Sequence, residues 1–155
     1  MLLYYLKHLK EIQPDIVHII SHGDEEAGLE IGNKKQEIEH YSLEELQKAF
    51  EVYQKRTGKT LELLVCNACN THELCKKIVD TGYIKRAIGV EGPVEDKKDA
   101  LYFTETFYEQ FNKEENDLES IDSCLTDIND ELSVTANHNY TTDKIYHLYI
   151  QGDPK

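Results

Sequence analysis

Residues 61–80 read LELLVCNACNTHELCKKIVD, and this stretch decides the fold. LELLVCN (61–67) is a short apolar run, which predicts a strand buried in a sheet. After a short loop, helix signals resume over THELCKKIVD (71–80), with Asn70 or Thr71 as the cap and Gly82 as the stop. An earlier stretch, PDIVHIISHG (14–23), has the same character. DIVHIIS (15–21) is apolar and β-branched and reads as a strand covered on both faces; SHGDEEAG (21–28) reads as a polar loop at its end.

Working outward, Leu2, Leu3, Leu6, Leu9 and Ile12 recur at helical spacing over 2–13, and Pro14 ends that helix. Residues 29–40 predict a hairpin turning at Gly32-Asn33-Lys34. Ser42 and Glu45 form a capping box for a helix that stops near Gly58. RAIGV (86–90) predicts a third strand and EGPVED (91–96) a loop. Helices follow over 98–111 and near 118–132, and IYHLYI (145–150) a last strand. Strands alternating with helices argue for an α/β sandwich with a mainly parallel sheet, all within one domain spanning residues 1–155.

The 155 residues carry 17 Lys and Arg against 30 Asp and Glu, a net charge of -13. Such a surface repels a phosphate backbone, which argues against direct nucleic-acid binding. No stretch is long and apolar enough for a membrane span and no signal peptide is visible, so a cytoplasmic setting is expected. In a reducing compartment the four cysteines, Cys66, Cys69, Cys75 and Cys124, are expected as free thiols.

In parallel sheets the site lies at the carboxyl ends of the strands. That rule selects the loops Ser21-His22-Gly23 and Cys66-Asn67-Ala68-Cys69-Asn70. A thiol is a strong nucleophile only as thiolate and needs a base or positive field beside it. An imidazole, with its pKa near neutrality, is the usual partner. Cys69 also precedes a helix, whose free N–H groups lower a thiol pKa and can receive an oxyanion.

PDIVHIISHG (14–23) and LLVCNACNT (63–71), followed by AIGVEGPVEDKKDALYFTETFYEQF (87–111) and LYIQGDP (148–154), together resemble the CHAT branch of the caspase-like (clan CD) cysteine peptidases. The resemblance covers about residues 14–154. It implies a caspase-like three-layer α/β/α sandwich. Cys69 would be the nucleophile and His22 the residue that activates the thiol or protonates the leaving amine. Gly23 and Cys69 would supply backbone N–H groups to the oxyanion, with no cofactor and no metal. It implies an endopeptidase cutting a protein partner through a thioester, in regulated proteolysis, with a regulatory protein partner as the source of activation. The family's domain has a strand and helix ahead of the helix read at 2–13, so this chain is expected to lack its first strand and to be N-terminally incomplete. The alternative is an inactive CHAT-like scaffold, or a subunit needing a partner chain.

Glu91, Glu95 and Asp96 follow the third strand near the same rim, where carboxylates would favour Arg or Lys before the cut; a solvated loop is the plainer reading. Cys66, Cys69, His72 and Cys75 form a zinc-like spacing, but a buried strand and a helix would not bring four ligands to one tetrahedron easily. Cys66 is expected as a core thiol, His18 as a packed, hydrogen-bonded histidine, Cys124 as a spectator, and the aromatic stripe Tyr102, Phe103, Phe107, Tyr108 and Phe111 as core.

Overall fold

Leu61–Asn67 is the hydrophobic centre of the molecule: Leu63, Leu64, Val65 and Cys66 are inaccessible to solvent. A computed structural model describes residues 2–24, 28–32, 38–94, 99–115, 117–135 and 145–152. Its elements are α1 (Leu2–Ile12), β1 (Ile16–Ile20), β2 (His22–Asp24), β3 (Gly28–Gly32), β4 (Ile38–Tyr41), α2 (Leu43–Thr57), β5 (Leu61–Asn67), α3 (His72–Val79), β6 (Ile84–Val90), α4 (Leu101–Lys113), α5 (Ile121–Thr135) and β7 (Tyr146–Ile150). A 3-10 turn at Leu118–Ser120 leads into α5.

Strands β1, β5, β6 and β7 form one sheet in that order. β1 and β6 run parallel to β5, and β7 runs antiparallel to β6. Leu63, Val65, Ile88 and Val90 face α4 and α5, while Leu64, Cys66 and Ala87 face α2 and α3. The result is a mostly parallel sheet between two helical layers, as the alternation of strands and helices predicts. Phe103, Phe107 and Phe111 are buried and stack in series, and Phe103 also stacks on Tyr146 at 4.0 Å between ring centroids. The phenylalanines of the aromatic stripe are therefore core, and Tyr102 and Tyr108 pack half-buried against them.

Local chemistry sets the helix ends. The Ser42 side chain accepts from the Glu45 N–H while the Glu45 carboxylate accepts from the Ser42 N–H at 2.9 Å, completing the capping box. Gly58 closes α2 in the left-handed conformation, φ 71°. Thr71 holds the N-cap position of α3 without capping it; its hydroxyl is engaged elsewhere.

Two expectations are corrected. β1 packs on both faces, Ile16 against one core cluster and Val17 and Ile19 against the other, but it is less buried than expected: among the described residues it is an edge strand, its first four residues are half-buried, and Ile20 is 61% exposed. Apolar composition marks a strand but not its place in the sheet. Residues 22–24 are not loop; they form β2, which pairs antiparallel with β3, and β3 pairs with β4 in a separate three-stranded sheet. The expected turn at Gly32-Asn33-Lys34 falls largely outside the described residues.

Candidate active site

β1 and β5 are paired in register, Ile20 opposite Asn67. His22 and Cys69 each stand two residues beyond that last pair, so the two polar segments leave the sheet side by side. Gly23 shows how close they come. A β-carbon at Gly23 would lie 2.2 Å from the Cys69 carbonyl oxygen, and 3.1 Å from side-chain carbons of Ala68 and Thr71. Only a residue without Cβ lets the His22 strand pack on the Cys69 turn in this way. His22 itself is exposed at the surface.

The Cys69 turn is held from beneath by two buried polar side chains. Asn67, 1% exposed, donates to the Ala100 carbonyl at 2.9 Å and accepts from the Tyr146 hydroxyl at 2.9 Å. The Thr71 hydroxyl, also 1% exposed, donates into the carbonyls of Cys66 (2.9 Å) and Ala68 (2.8 Å) and accepts from the Val90 N–H (3.1 Å). These bonds tie the ends of β5 and β6, the start of α4 and β7 to one turn. Asn70 completes the turn in the left-handed region, φ 54°, which Asn tolerates better than most residues. Gly89 brings α3 onto β6: a β-carbon there would lie 2.7 Å from the His72 Cα.

The Cys69 sulfur is half-buried and lies against residues 91–94. The Val94 N–H donates to it at 3.2 Å, and its own S–H donates to the Val94 carbonyl at 3.7 Å. The other three thiols are buried. Burial, and then a hydrogen bond with Cys66, pushes the Cys75 thiol well up; it donates to the Ile88 carbonyl at 3.3 Å. Buried, uncharged thiols are poor nucleophiles, so access singles out Cys69. Cys124, the expected spectator, packs inside the α4–α5 core.

Glu91 lies on this rim, its carboxylate 2.7 Å from His147 Nε2 on β7. Glu95 and Asp96 fall outside the described residues. The zinc-like quartet disperses: Cys66 and Cys75 sit in the core, Cys69 turns to Val94, and His72 donates from Nδ1 to the Val90 carbonyl at 3.3 Å. Among the described residues, no group of three metal-type side chains converges. His18 packs against Phe103 and Tyr108, with Nδ1 3.1 Å from the Tyr108 hydroxyl. Its Nε2 is buried without a hydrogen-bond partner among the described residues, and burial lowers its pKa from 6.5 to about 4. A cavity of about 330 Å³ lies along β1, lined by Val17, His18, Ile19 and Ile20 together with residues of α1 and α2 such as Leu9 and Phe50; none of His22, Gly23 or Cys69 lines it.

What the sequence reading lacked was the supporting frame. Asn67 and Thr71 were legible as neighbours of Cys69, but their partners, Ala100, Tyr146 and Val90, lie 33, 79 and 19 residues away.

Over 112 residues the chain is 31% identical to a protein named Roc-COR-CHAT protease from Runella zeae. The match takes in 69% of this chain and 11% of that protein, so the chain corresponds to a small part of the relative's length. No family profile matches the chain. No helix among the described residues is long and apolar enough to cross a membrane.

Proposed function

We propose that this chain is a CHAT-type, caspase-like cysteine peptidase domain in which Cys69 is the nucleophile and His22 its activating base. The observation that carries the reading is the packing of Gly23 on the Cys69 carbonyl at the carboxyl ends of two adjacent parallel strands. The likeness to a protein named as a CHAT protease supports the same class.

The chemistry follows from these groups. His22 takes the Cys69 proton and the thiolate attacks the scissile carbonyl carbon. The oxyanion formed accepts hydrogen bonds from the Gly23 and Cys69 backbone N–H groups. The C–N bond then breaks, and His22 returns the proton to the leaving amine. Water, deprotonated by His22, attacks the thioester; the C–S bond breaks, releasing the acid and the thiolate. No metal or cofactor enters. The substrate is a protein, controlled through a regulatory partner, and the thiol chemistry suits the reducing cytoplasm. Glu91 would favour Arg or Lys before the cut by exchanging His147 for the substrate's cation.

The test is labelling by an electrophilic peptide carrying Arg or Lys at neutral pH, with wild type, Cys69→Ala and His22→Ala. Labelling confined to Cys69, and slowed at least tenfold without His22, is expected, since a positioned base contributes about 10²-fold or more. If Cys69 reacts no faster than Cys66, Cys75 or Cys124, this chain alone is not a competent peptidase.

A further inference from the structure

We infer that residues 91–94 form a latch over the Cys69 sulfur, and that His147 sets the latch through Glu91. The inference rests on Cys69 being the nucleophile.

Both hydrogen bonds of the sulfur go to the backbone of Val94, one donated and one accepted. The proton that a base must remove is therefore directed at the Val94 carbonyl. Val94 is itself packed in the hydrophobic core, 8% exposed, and Cys69 packs against the same cluster. For the thiol to pass its proton to a base and turn to a carbonyl carbon, Val94 and the sulfur must separate.

Three tethers hold the segment down. The Asn70 N–H donates to the Gly92 carbonyl at 3.1 Å, and the Glu91 N–H donates to the Ile145 carbonyl at 2.8 Å. The third is the side-chain contact between the Glu91 carboxylate and His147 Nε2 at 2.7 Å. His147 sits opposite Gly89 in the β6–β7 ladder, with its ring stacked beside Tyr149 and 5.9 Å from His72. The first two tethers are backbone bonds that most side-chain changes leave in place. The third is made by side chains, 21% and 36% exposed, and is open to displacement by a substrate or partner charge. Glu91 thus couples the far edge of the sheet to the nucleophile through three residues of chain. His147 is a positioning residue in this arrangement.

The test uses the full chain and a small neutral alkylating agent, iodoacetamide, with the rate resolved for each cysteine by mass spectrometry. His147→Gln and Glu91→Gln should each speed Cys69 alkylation about two- to fivefold, the range that a partly exposed side-chain pair supports. The double variant should be no faster than either single one, because both changes release one tether. An unchanged or slower rate, additive effects, or a parallel rise at Cys66 and Cys75 (which would report general opening) overturns the latch. If His147→Gln does not fold, Glu91→Gln alone carries the test. His22→Ala, measured alongside, separates the two claims. A slowing in His22→Ala with no effect of the latch variants removes the latch and leaves the base. Faster labelling in the latch variants with no effect of His22→Ala keeps the latch and removes the base.

Discussion

The Cα of Gly23 and the carbonyl oxygen of Cys69 are in such close contact that a single added carbon would stand 2.2 Å from that oxygen. The contact joins a segment that leaves β1 to a turn that leaves β5, and it brings the neighbourhoods of His22 and Cys69 together. Neither partner has a side chain that could give way at this point, since the obstacle is backbone.

Gly23→Ala should therefore force the His22 strand off the Cys69 turn. The expected loss is about 1–3 kcal/mol of stability, the usual cost of overpacking. Cys69 alkylation should change at least as much as stability does. Urea unfolding and thiol labelling of the same variant check it; a stable protein with unchanged Cys69 reactivity would show that the contact is dispensable.

Asn67 is a buried amide whose partners lie on α4 and β7. Asn67→Ala removes the amide oxygen that accepts from the Tyr146 hydroxyl, at a cost of about 1–3 kcal/mol for a lost buried hydrogen bond. Tyr146→Phe removes the other half of the same bond. A double-mutant cycle should return a coupling of about 1 kcal/mol between the two positions. A coupling near zero would mean that the amide is anchored through Ala100 and Thr104.

Thr71 offers a sharper comparison, because two conservative variants differ in one atom group. Thr71→Ser keeps the hydroxyl that bridges Cys66, Ala68 and Val90. Thr71→Val keeps the shape and leaves the Val90 N–H buried without an acceptor. The valine variant should lose about 1–3 kcal/mol, with the serine variant close to wild type. Equal melting temperatures for the two would rule the hydroxyl out as the knot beneath the turn.

His18 gives a pH dependence. Its pKa is lowered by burial from 6.5 to about 4, so the folded state resists the proton that the unfolded chain accepts. Stability is full above pH 6.5 and falls as the pH drops towards 4, because the unfolded state then binds more protons. At pH 5 the loss from this one group is about 2 kcal/mol relative to pH 7.5. His18→Leu, measured by urea unfolding at both pH values, should lose less than wild type by about that amount. Parallel losses in the two proteins would show that acid destabilisation comes from other groups.

The elements of the fold were legible because each rests on local chemistry. The Ser42–Glu45 box, the left-handed Gly58 and the helical spacing of 2–12 all act within a few residues. The short strands at 16–20 and 61–67 were legible for the same reason, as apolar runs too short for helices. Cys69 and His22 were legible as residue types placed at strand ends, where parallel sheets expose their loops.

What the chain's order of residues could not decide is anything that depends on which strand neighbours which. DIVHIIS has the composition of an interior strand, yet among the described residues it pairs with β5 alone, because hydrophobicity measures burial and carries no information on pairing. Cys66 was legible as a core thiol and Cys69 as a loop thiol, but not that the backbone of Val94, 25 residues on, would hold the Cys69 sulfur. Glu91 read as a solvated loop carboxylate or one open to a substrate cation, and β7, more than fifty residues on, supplies His147 as its partner. Residue types and local spacing fixed the candidates. The pairing of distant segments decided which of them meet, since contacts of that range arise only once the core has brought the strands together.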